Sequence, residues 1–438
     1  MARRLFGTDG VRGAAGVDVT AQLALTLGRA VVIHSGLERP RALLIRDTRE
    51  SGEMLEAALA AGIASAGGDV ALGGVLPTPA APLLARRHGF DLAAVISASH
   101  NPYEDNGIKF FGGDGFKLSD DTEAEIELHF DEDAGGGGPR VGRIAELAGM
   151  ADDYLAELER RFGDLRLSAL DVALDCANGA TYGVAPEIFR RLGARVTALA
   201  VEPDGRNIND RCGSTHLQAL ASAVREGGHD IGFAFDGDGD RMLAVDRDGA
   251  VVDGDELLAL AALHLRAAGR LGGGVVVTVM TNFGFHAAME RAGIEVATTA
   301  VGDRYVIEAM RERGFALGGE QSGHIIDLDF GPSGDGIASA LLVLEALGGA
   351  DLRERATLEK LPQRLVNVPV RDRDALAGAD GVHAAIAREA AGLQGRGRVL
   401  VRPSGTEPLV RVMVEAPSVE ETDAICARLV AVVQEQLG

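Results

Sequence analysis

The stretch Val95-Ile96-Ser97-Ala98-Ser99-His100-Asn101-Pro102 decides how this chain is read. The apolar run that leads into it, Leu92 to Ile96, predicts a short buried strand, and small polar residues followed by a proline stop it. A strand end that opens into such a turn is where α/β proteins place their chemistry. The stretch therefore predicts an α/β fold with Ser99 as a candidate nucleophile. A Ser-Asn-Pro segment can also be a turn and nothing more. A free hydroxyl is a weak nucleophile and needs partners, so the functional reading depends on what the rest of the chain supplies.

Working outward, the same strand–turn–helix grammar recurs. Thr20 is placed to cap a helix whose Leu23, Leu27 and Val31 recur at helical spacing. Ala42 to Ile45 reads as a buried strand ended by Arg46-Asp47-Thr48-Arg49. Leu55, Leu59 and Ile63 share one face of a second helix, which stops at Gly67-Gly68 before the strand Val70 to Leu72. Leu170 to Leu174, Arg195 to Ala200, Ile231 to Phe235 and Val275 to Met280 read as further strands, the last running into a turn at Thr281-Asn282-Phe283-Gly284. Strands alternating with helices predict parallel pairing through crossovers. The last ~75 residues differ: Leu365 to Val370, Arg398 to Arg402 and Leu409 to Glu415 read as strands around two helices, 381–393 and 419–437. The expected organisation is three similar α/β domains, at 1–155, 156–254 and 255–363, and an α+β domain at 364–438. Gly135 to Pro139 is the clearest flexible break.

Composition bounds the function. A formal net charge of −22 argues against nucleic acid as a partner, because a phosphate backbone wants a basic surface. It leaves room for a small phosphorylated substrate held by a local cluster of cations. The three cysteines, Cys176, Cys212 and Cys426, are far apart and form no CxxC pair, so neither a zinc site nor a disulfide framework is indicated. The two arginines near the start are followed by no apolar run, and no stretch of about 18 apolar residues exists; neither a signal peptide nor a membrane span is expected, and the expected compartment is cytoplasmic.

Three more stretches carry chemistry. Asp236-Gly237-Asp238-Gly239-Asp240-Arg241 follows a predicted strand and packs three carboxylates closely enough to repel unless a cation lies among them. Oxygen ligands favour a hard cation such as Mg²⁺ or Ca²⁺. An EF-hand loop begins with the same spacing, but its sixth position would here be Arg241 rather than Gly and its twelfth Arg247 rather than Glu. A solvated acidic turn is the plainer alternative. Arg402-Pro403-Ser404-Gly405-Thr406, with Arg411 beyond, reads as an anion cradle: Gly405 admits backbone N–H groups, Ser404 and Thr406 supply hydroxyls, and the arginines supply bidentate donors. Between them lies Gly319-Glu320-Gln321-Ser322-Gly323-His324. Lys109, flanked by Ile108, Phe110 and Phe111, is expected to have a depressed pKa suited to proton transfer.

In this order, and with Leu5-Phe6-Gly7-Thr8-Asp9-Gly10-Val11-Arg12-Gly13 at the front, the motifs resemble the α-D-phosphohexomutase superfamily nearly end to end. Gln321 matches the branch that works on an amino sugar. The resemblance implies three domains with mixed sheets, a fourth domain that closes over a central cleft, and an isomerase that interconverts glucosamine 6-phosphate and glucosamine 1-phosphate. It implies that Ser99 is phosphorylated, that Mg²⁺ binds Asp236, Asp238, Asp240 and an oxygen of the Ser99 phosphate, and that Lys109 and His324 are acid/base candidates. His100 and Arg12 would sit beside the phosphoserine. Arg241, Gly302, Asp303, Glu320 and Ser322 would face the sugar and its reacting phosphate, and Arg402, Ser404, Gly405, Thr406 and Arg411 the other phosphate. A hexosamine or glucose 1,6-bisphosphate would serve as activator; the oligomeric state is left open by the sequence, a homodimer being common in the family. Readings that share the residues are a phosphomannomutase or phosphoglucomutase, a metal-dependent serine phosphatase, and a non-catalytic sugar-phosphate sensor.

Overall fold

The computed structural model describes residues 5–7, 9–130, 141–404 and 408–438. The glycine-rich break at 135–139 and the cradle residues Gly405 and Thr406 lie outside them. Two compact units divide the chain, one formed by 1–279 with 297–355, the other by 280–296 with 356–438.

In the larger unit, β1 (Val11–Ala14), β2 (Arg41–Arg46), β3 (Asp69–Val75), β4 (Leu92–Ile96), β5 (Asp105–Gly112) and β6 (Ile144–Glu146) form one sheet in the order β1-β5-β4-β2-β3-β6. β4 runs parallel to β2 and antiparallel to β5. Both its faces are covered, so all five residues are buried and an unbroken apolar run is what the position requires. The helix Gly52–Ser65 puts Leu55, Leu59 and Ile63 into this core, where each contributes roughly 1.5–3 kcal/mol by leaving water. Thr20 caps the helix Ala21–Ser35 by accepting from the Leu23 N–H, as its position in the sequence suggested.

A second sheet contains β7 (Asp171–Asp175), β8 (Arg195–Leu199), β9 (Ile231–Phe235), β10 (Met242–Asp246) and β11 (Val251–Val252), in the order β11-β10-β9-β7-β8. β9 and β10 are antiparallel, and the Asp236–Arg241 run is the connection between them. A third sheet, built from β12 (Gly274–Thr278), β13 (Glu295–Thr299), β14 (Leu317–Gly319) and β15 (Ile325–Asp327), has the order β13-β12-β14-β15. The loop carrying Glu320 and His324 joins its antiparallel pair β14 and β15. Both motifs thus sit at strand ends.

The smaller unit has an antiparallel sheet of β16 (Gln363–Pro369), β17 (Arg398–Pro403) and β18 (Leu409–Glu415), ordered β16-β18-β17, with the helices Asp380–Leu393 and Val419–Leu437 sharing its apolar core. Thr281-Asn282-Phe283-Gly284 is a helix start rather than a plain turn. Asn282 accepts from the Gly284 N–H and caps Phe283–Arg291, and the Phe283 N–H donates to Glu415 Oε2 at 2.9 Å. That helix belongs to the smaller unit. No helix among the described residues is long and apolar enough to cross a membrane.

Candidate active site

The loop after β4 holds Ser99 in a left-handed conformation, φ 53°. Non-glycine residues adopt it reluctantly. Ser99 is buried, and its Oγ donates to Asp236 Oδ2 at 2.6 Å. His100 Nδ1 lies 3.4 Å from the same Oγ and 3.2 Å from Arg241 Nη1. Burial, with Arg241 and Arg12 nearby, keeps the His100 imidazole below its ordinary pKa.

Asp236, Asp238 and Asp240 are all buried, and one carboxylate oxygen from each lies within 4.8 Å of the others. Burial and the charges of Asp240 and Asp238 push Asp236 well above the usual carboxylate range. Burial also pushes Asp240 up, but His324, Lys109 and Arg241 outweigh it and hold it low. Asp238 Oδ2 accepts from Thr78 Oγ1 at 2.7 Å and from Lys109 Nζ at 3.0 Å. Asp238 Oδ1 and Asp240 Oδ1 are buried without a hydrogen-bond partner among the described residues. Unsatisfied buried carboxylate oxygens are costly, and a hard cation would satisfy these two. Three such donors suit Mg²⁺. Gly237 is needed for the close approach: a Cβ there would meet the Ser99 carbonyl oxygen at 2.5 Å.

Lys109 does not have the lowered pKa that its apolar sequence neighbours suggested. Alternate residues of a strand face opposite ways, so Ile108 and Phe110 enter the apolar cluster while Lys109 faces the carboxylates. Its Nζ also lies 3.0 Å from Asp9 Oδ2. Burial alone would lower the pKa, but Asp238 and Asp9 raise it above the ordinary lysine value.

Glu320, Ser322 and His324 meet in their loop. The Gly302 N–H donates to Glu320 Oε1 at 3.1 Å, and Ser322 Oγ to Glu320 Oε2 at 3.3 Å. His324 is buried between Asp240 Oδ1 at 3.7 Å and Asp303 Oδ2 at 3.8 Å, and its Nε2 has no hydrogen-bond partner among the described residues. Burial lowers its pKa, but Asp240 and Asp303 prevail and carry it to about 8. Gln321 Nε2 reaches Asp253 Oδ2 at 3.3 Å.

Lys117, which sequence reading passed over, joins two motifs: it pairs with Asp9 and, at 2.5 Å, with Asp303 Oδ2. Arg12 pairs with Asp9 as well, while its Nε is buried without a partner among the described residues. Asp9, Asp47, Arg49, Thr78 and Asn209 were missed too. Asp9, Asp47 and Arg49 stood in quoted segments, and nothing local marked their roles.

In the smaller unit, Arg402 and Arg411 are cross-strand partners in register, so both guanidinium groups rise from one face. Burial and the neighbouring Arg411 lower the Arg402 pKa, and Arg411 Nε is buried without a partner among the described residues. Two adjacent guanidinium groups make a fitting place for a phosphate. Ser404 follows at the end of β17, its carbonyl accepting from Arg373 Nη1 at 2.8 Å.

Family profiles described as phosphoglucomutase/phosphomannomutase match the chain in four parts: alpha/beta/alpha domain I over residues 3–135, domain II over 152–249, domain III over 253–367 and the C-terminal domain over 365–432. The chain is 50% identical to the phosphoglucosamine mutase of Streptomyces avermitilis, covering 99% of this chain and 100% of that protein. It is 52% identical to the phosphoglucosamine mutase of Desulforudis audaxviator, covering 98% of each. Among solved structures, a phosphoglucomutase/phosphomannomutase family protein from Burkholderia thailandensis superposes with a TM-score of 0.83 at 25% identity, over 98% of this chain and 97% of that one.

Proposed function

Since the chain belongs to the phosphoglucomutase/phosphomannomutase family, we propose that it is an isomerase that interconverts glucosamine 6-phosphate and glucosamine 1-phosphate. The choice of amino sugar follows the phosphoglucosamine mutases that align with it from end to end. The observation that carries the chemistry is the 2.6 Å contact of Ser99 Oγ with Asp236 inside a buried carboxylate triplet. A surface serine in an ordinary turn would have no such partner.

In this reading Ser99 works as a phosphoserine. Its phosphoryl group passes to O1 of glucosamine 6-phosphate: the O1–P bond forms as the Oγ–P bond breaks, and the O1 proton goes to an acid/base group of the site. The 1,6-bisphosphate turns over, and Ser99 Oγ then takes the phosphoryl group from O6, whose oxygen is reprotonated. Asp236, Asp238 and Asp240 would hold Mg²⁺. That ion would act as a Lewis acid on the phosphoryl oxygens. Lys109 and Arg241 place positive charge beside the transferring group, which suits a reaction run mainly by positioning and charge stabilisation. Glu320 and Ser322 are assigned to sugar hydroxyls, His324 and Lys109 to proton transfer, and Arg402, Ser404 and Arg411 to the phosphate that is not reacting. The four domains at 1–155, 156–254, 255–363 and 364–438, a 1,6-bisphosphate activator, the cytoplasm as compartment and a homodimer as assembly complete the proposal on family grounds.

The test is intact mass and phosphopeptide mapping of the purified protein, followed by coupled turnover of glucosamine 6-phosphate with Mg²⁺ and a trace of glucose 1,6-bisphosphate. Phosphate on Ser99, and activity lost in Ser99→Ala, are the expected results. Full turnover by Ser99→Ala would end the reading. Higher kcat/KM on glucose or mannose phosphates would move the sugar, and net release of inorganic phosphate would make the protein a phosphatase.

A further inference from the structure

Every backbone polar group of Ser99 is held by a side chain. Its N–H donates to Ser97 Oγ at 3.0 Å. Its carbonyl accepts from Arg49 Nη2 and from Asn209 Nδ2, both at 2.9 Å. Arg49 has no exposed side-chain surface. Its Nε donates to Asp47 Oδ2 at 2.9 Å, its Nη2 also reaches the Asn101 carbonyl at 2.8 Å, and its Nη1 donates to the carbonyls of Asp105, at 3.0 Å, and Pro102. One guanidinium therefore binds four carbonyls between Ser99 and the first residue of β5, Asp105. Asp47 holds the third point as well: Ser97 Oγ donates to its Oδ2 at 2.5 Å. Asn209 comes from the region between β8 and β9, 110 residues away, and its amide also donates to the Asn101 carbonyl at 3.0 Å. It too is left-handed, with φ 59°.

A buried arginine fork spent on loop carbonyls is an expensive device where any surface turn would do. What it secures is the backbone of the one residue whose Oγ must be aimed at Asp236. We propose that Arg49 and Asn209 are positioning residues for the phosphate-carrying serine: together they clamp the Ser99 carbonyl and hold the residue left-handed, which fixes Oγ toward the carboxylate triplet. This rests on Ser99 as the group that carries phosphate. Neither residue touches the sugar in this reading, so their loss should act on the transfer step and leave substrate binding alone.

The experiment compares wild type with Asn209→Ala and Arg49→Lys. Lysine keeps a charge for Asp47 but cannot reach four carbonyls. Three readouts are taken: the rate at which glucose 1,6-bisphosphate phosphorylates Ser99, by intact mass; kcat and KM on glucosamine 6-phosphate; and amide hydrogen exchange in peptides spanning residues 95–105. The clamp predicts faster exchange in that segment alone, slower Ser99 phosphorylation, and a kcat about 10–100-fold lower with KM within about threefold, the size expected for misplacing a reacting atom by ~1 Å. Arg49→Lys should show the larger loss. If it does not fold, Asn209→Ala decides alone, since it leaves the Asp47–Arg49 pair intact. Wild-type exchange in a folded Asn209→Ala protein overturns the clamp, and so does a kcat loss without faster exchange. Wild-type protein that is idle on glucosamine 6-phosphate would instead end the substrate reading, and the exchange and phosphorylation measurements would still test the clamp.

Discussion

Lys109 Nζ lies 3.0 Å from Asp238 Oδ2, a buried cation against a proposed metal ligand. A metal ion and this ammonium group therefore draw on the same carboxylate. In Lys109→Met the competing charge is gone, but Asp238 and Asp9 lose their buried partner, a loss of roughly 3–5 kcal/mol in such pairs. Without divalent metal the variant should melt well below wild type. Mg²⁺ should then raise its melting temperature more than it raises that of wild type, while kcat falls about 100-fold or more for want of the positive charge. Thermal melts in EDTA and in Mg²⁺ check this, and equal metal-dependent shifts in the two proteins would refute it.

Burial, with Asp240 and Asp238 adding to it, pushes the Asp236 carboxyl well above the usual range. Asparagine there keeps an acceptor for Ser99 Oγ and removes the repulsion. Asp236→Asn should be more stable than wild type in EDTA, by something on the order of 1–2 kcal/mol, and should lose Mg²⁺-dependent turnover. Chemical denaturation alongside an activity assay separates the two effects. A variant that is both destabilised and active would show that the triplet is not built for a cation.

How far the sequence led depends on where the information lies. Ser99 and the Asp236–Asp240 run were legible because each motif is contiguous and ends a buried strand. Lys109 stood out in the sequence, but its electrostatics run opposite to the expectation. Its neighbours in sequence, Ile108 and Phe110, face away from it in β5, and its real neighbours, Asp9 and Asp238, are 100 and 129 residues distant. Arg49, Lys117 and Asn209 were invisible for the same reason: each acts on a segment that only the folded sheets bring near. The capping role of Asn282 was hidden because a helix N-cap and a turn draw on the same residue types.

Asp335, which burial and also Asp240 of the carboxylate triplet push up, gives a pH signature of its own. It caps the helix Gly336–Leu347 by accepting from the Ala338 N–H, and Tyr154 Oη donates to its Oδ2 at 2.9 Å. Burial carries its pKa from 3.8 to about 6 against the lowering effect of those hydrogen bonds. The folded protein thus holds this proton more tightly than the unfolded chain does. The associated stability is fully present below about pH 4 and is lost as pH rises through about 6, a change of roughly 3 kcal/mol. Asp335→Asn, which can cap and accept without ionising, should remove that component. Its stability relative to wild type should improve between pH 4.5 and pH 7.5 and then level off. A difference that does not vary with pH would show that Asp335 titrates normally.

Arg411 offers the cleanest separation of binding from chemistry. It stands opposite Arg402 across the β17–β18 pair, with a buried Nε that no group among the described residues satisfies. A phosphate held there is gripped alike in the ground state and in the transition state, so the contact contributes uniform binding. Hydrogen bonds between charged groups of this kind are worth about 1.5–3 kcal/mol. Arg411→Ala should therefore raise KM for glucosamine 6-phosphate about 10–100-fold, with kcat changed by less than about threefold at saturation. Stability should hold or improve, because a like-charged neighbour of Arg402 is removed. Initial rates over a wide substrate range, with Ser99 phosphorylation followed by intact mass, would test the assignment: an unchanged KM would take Arg411 out of phosphate binding, and a kcat loss at constant KM would place its action in the transfer step itself.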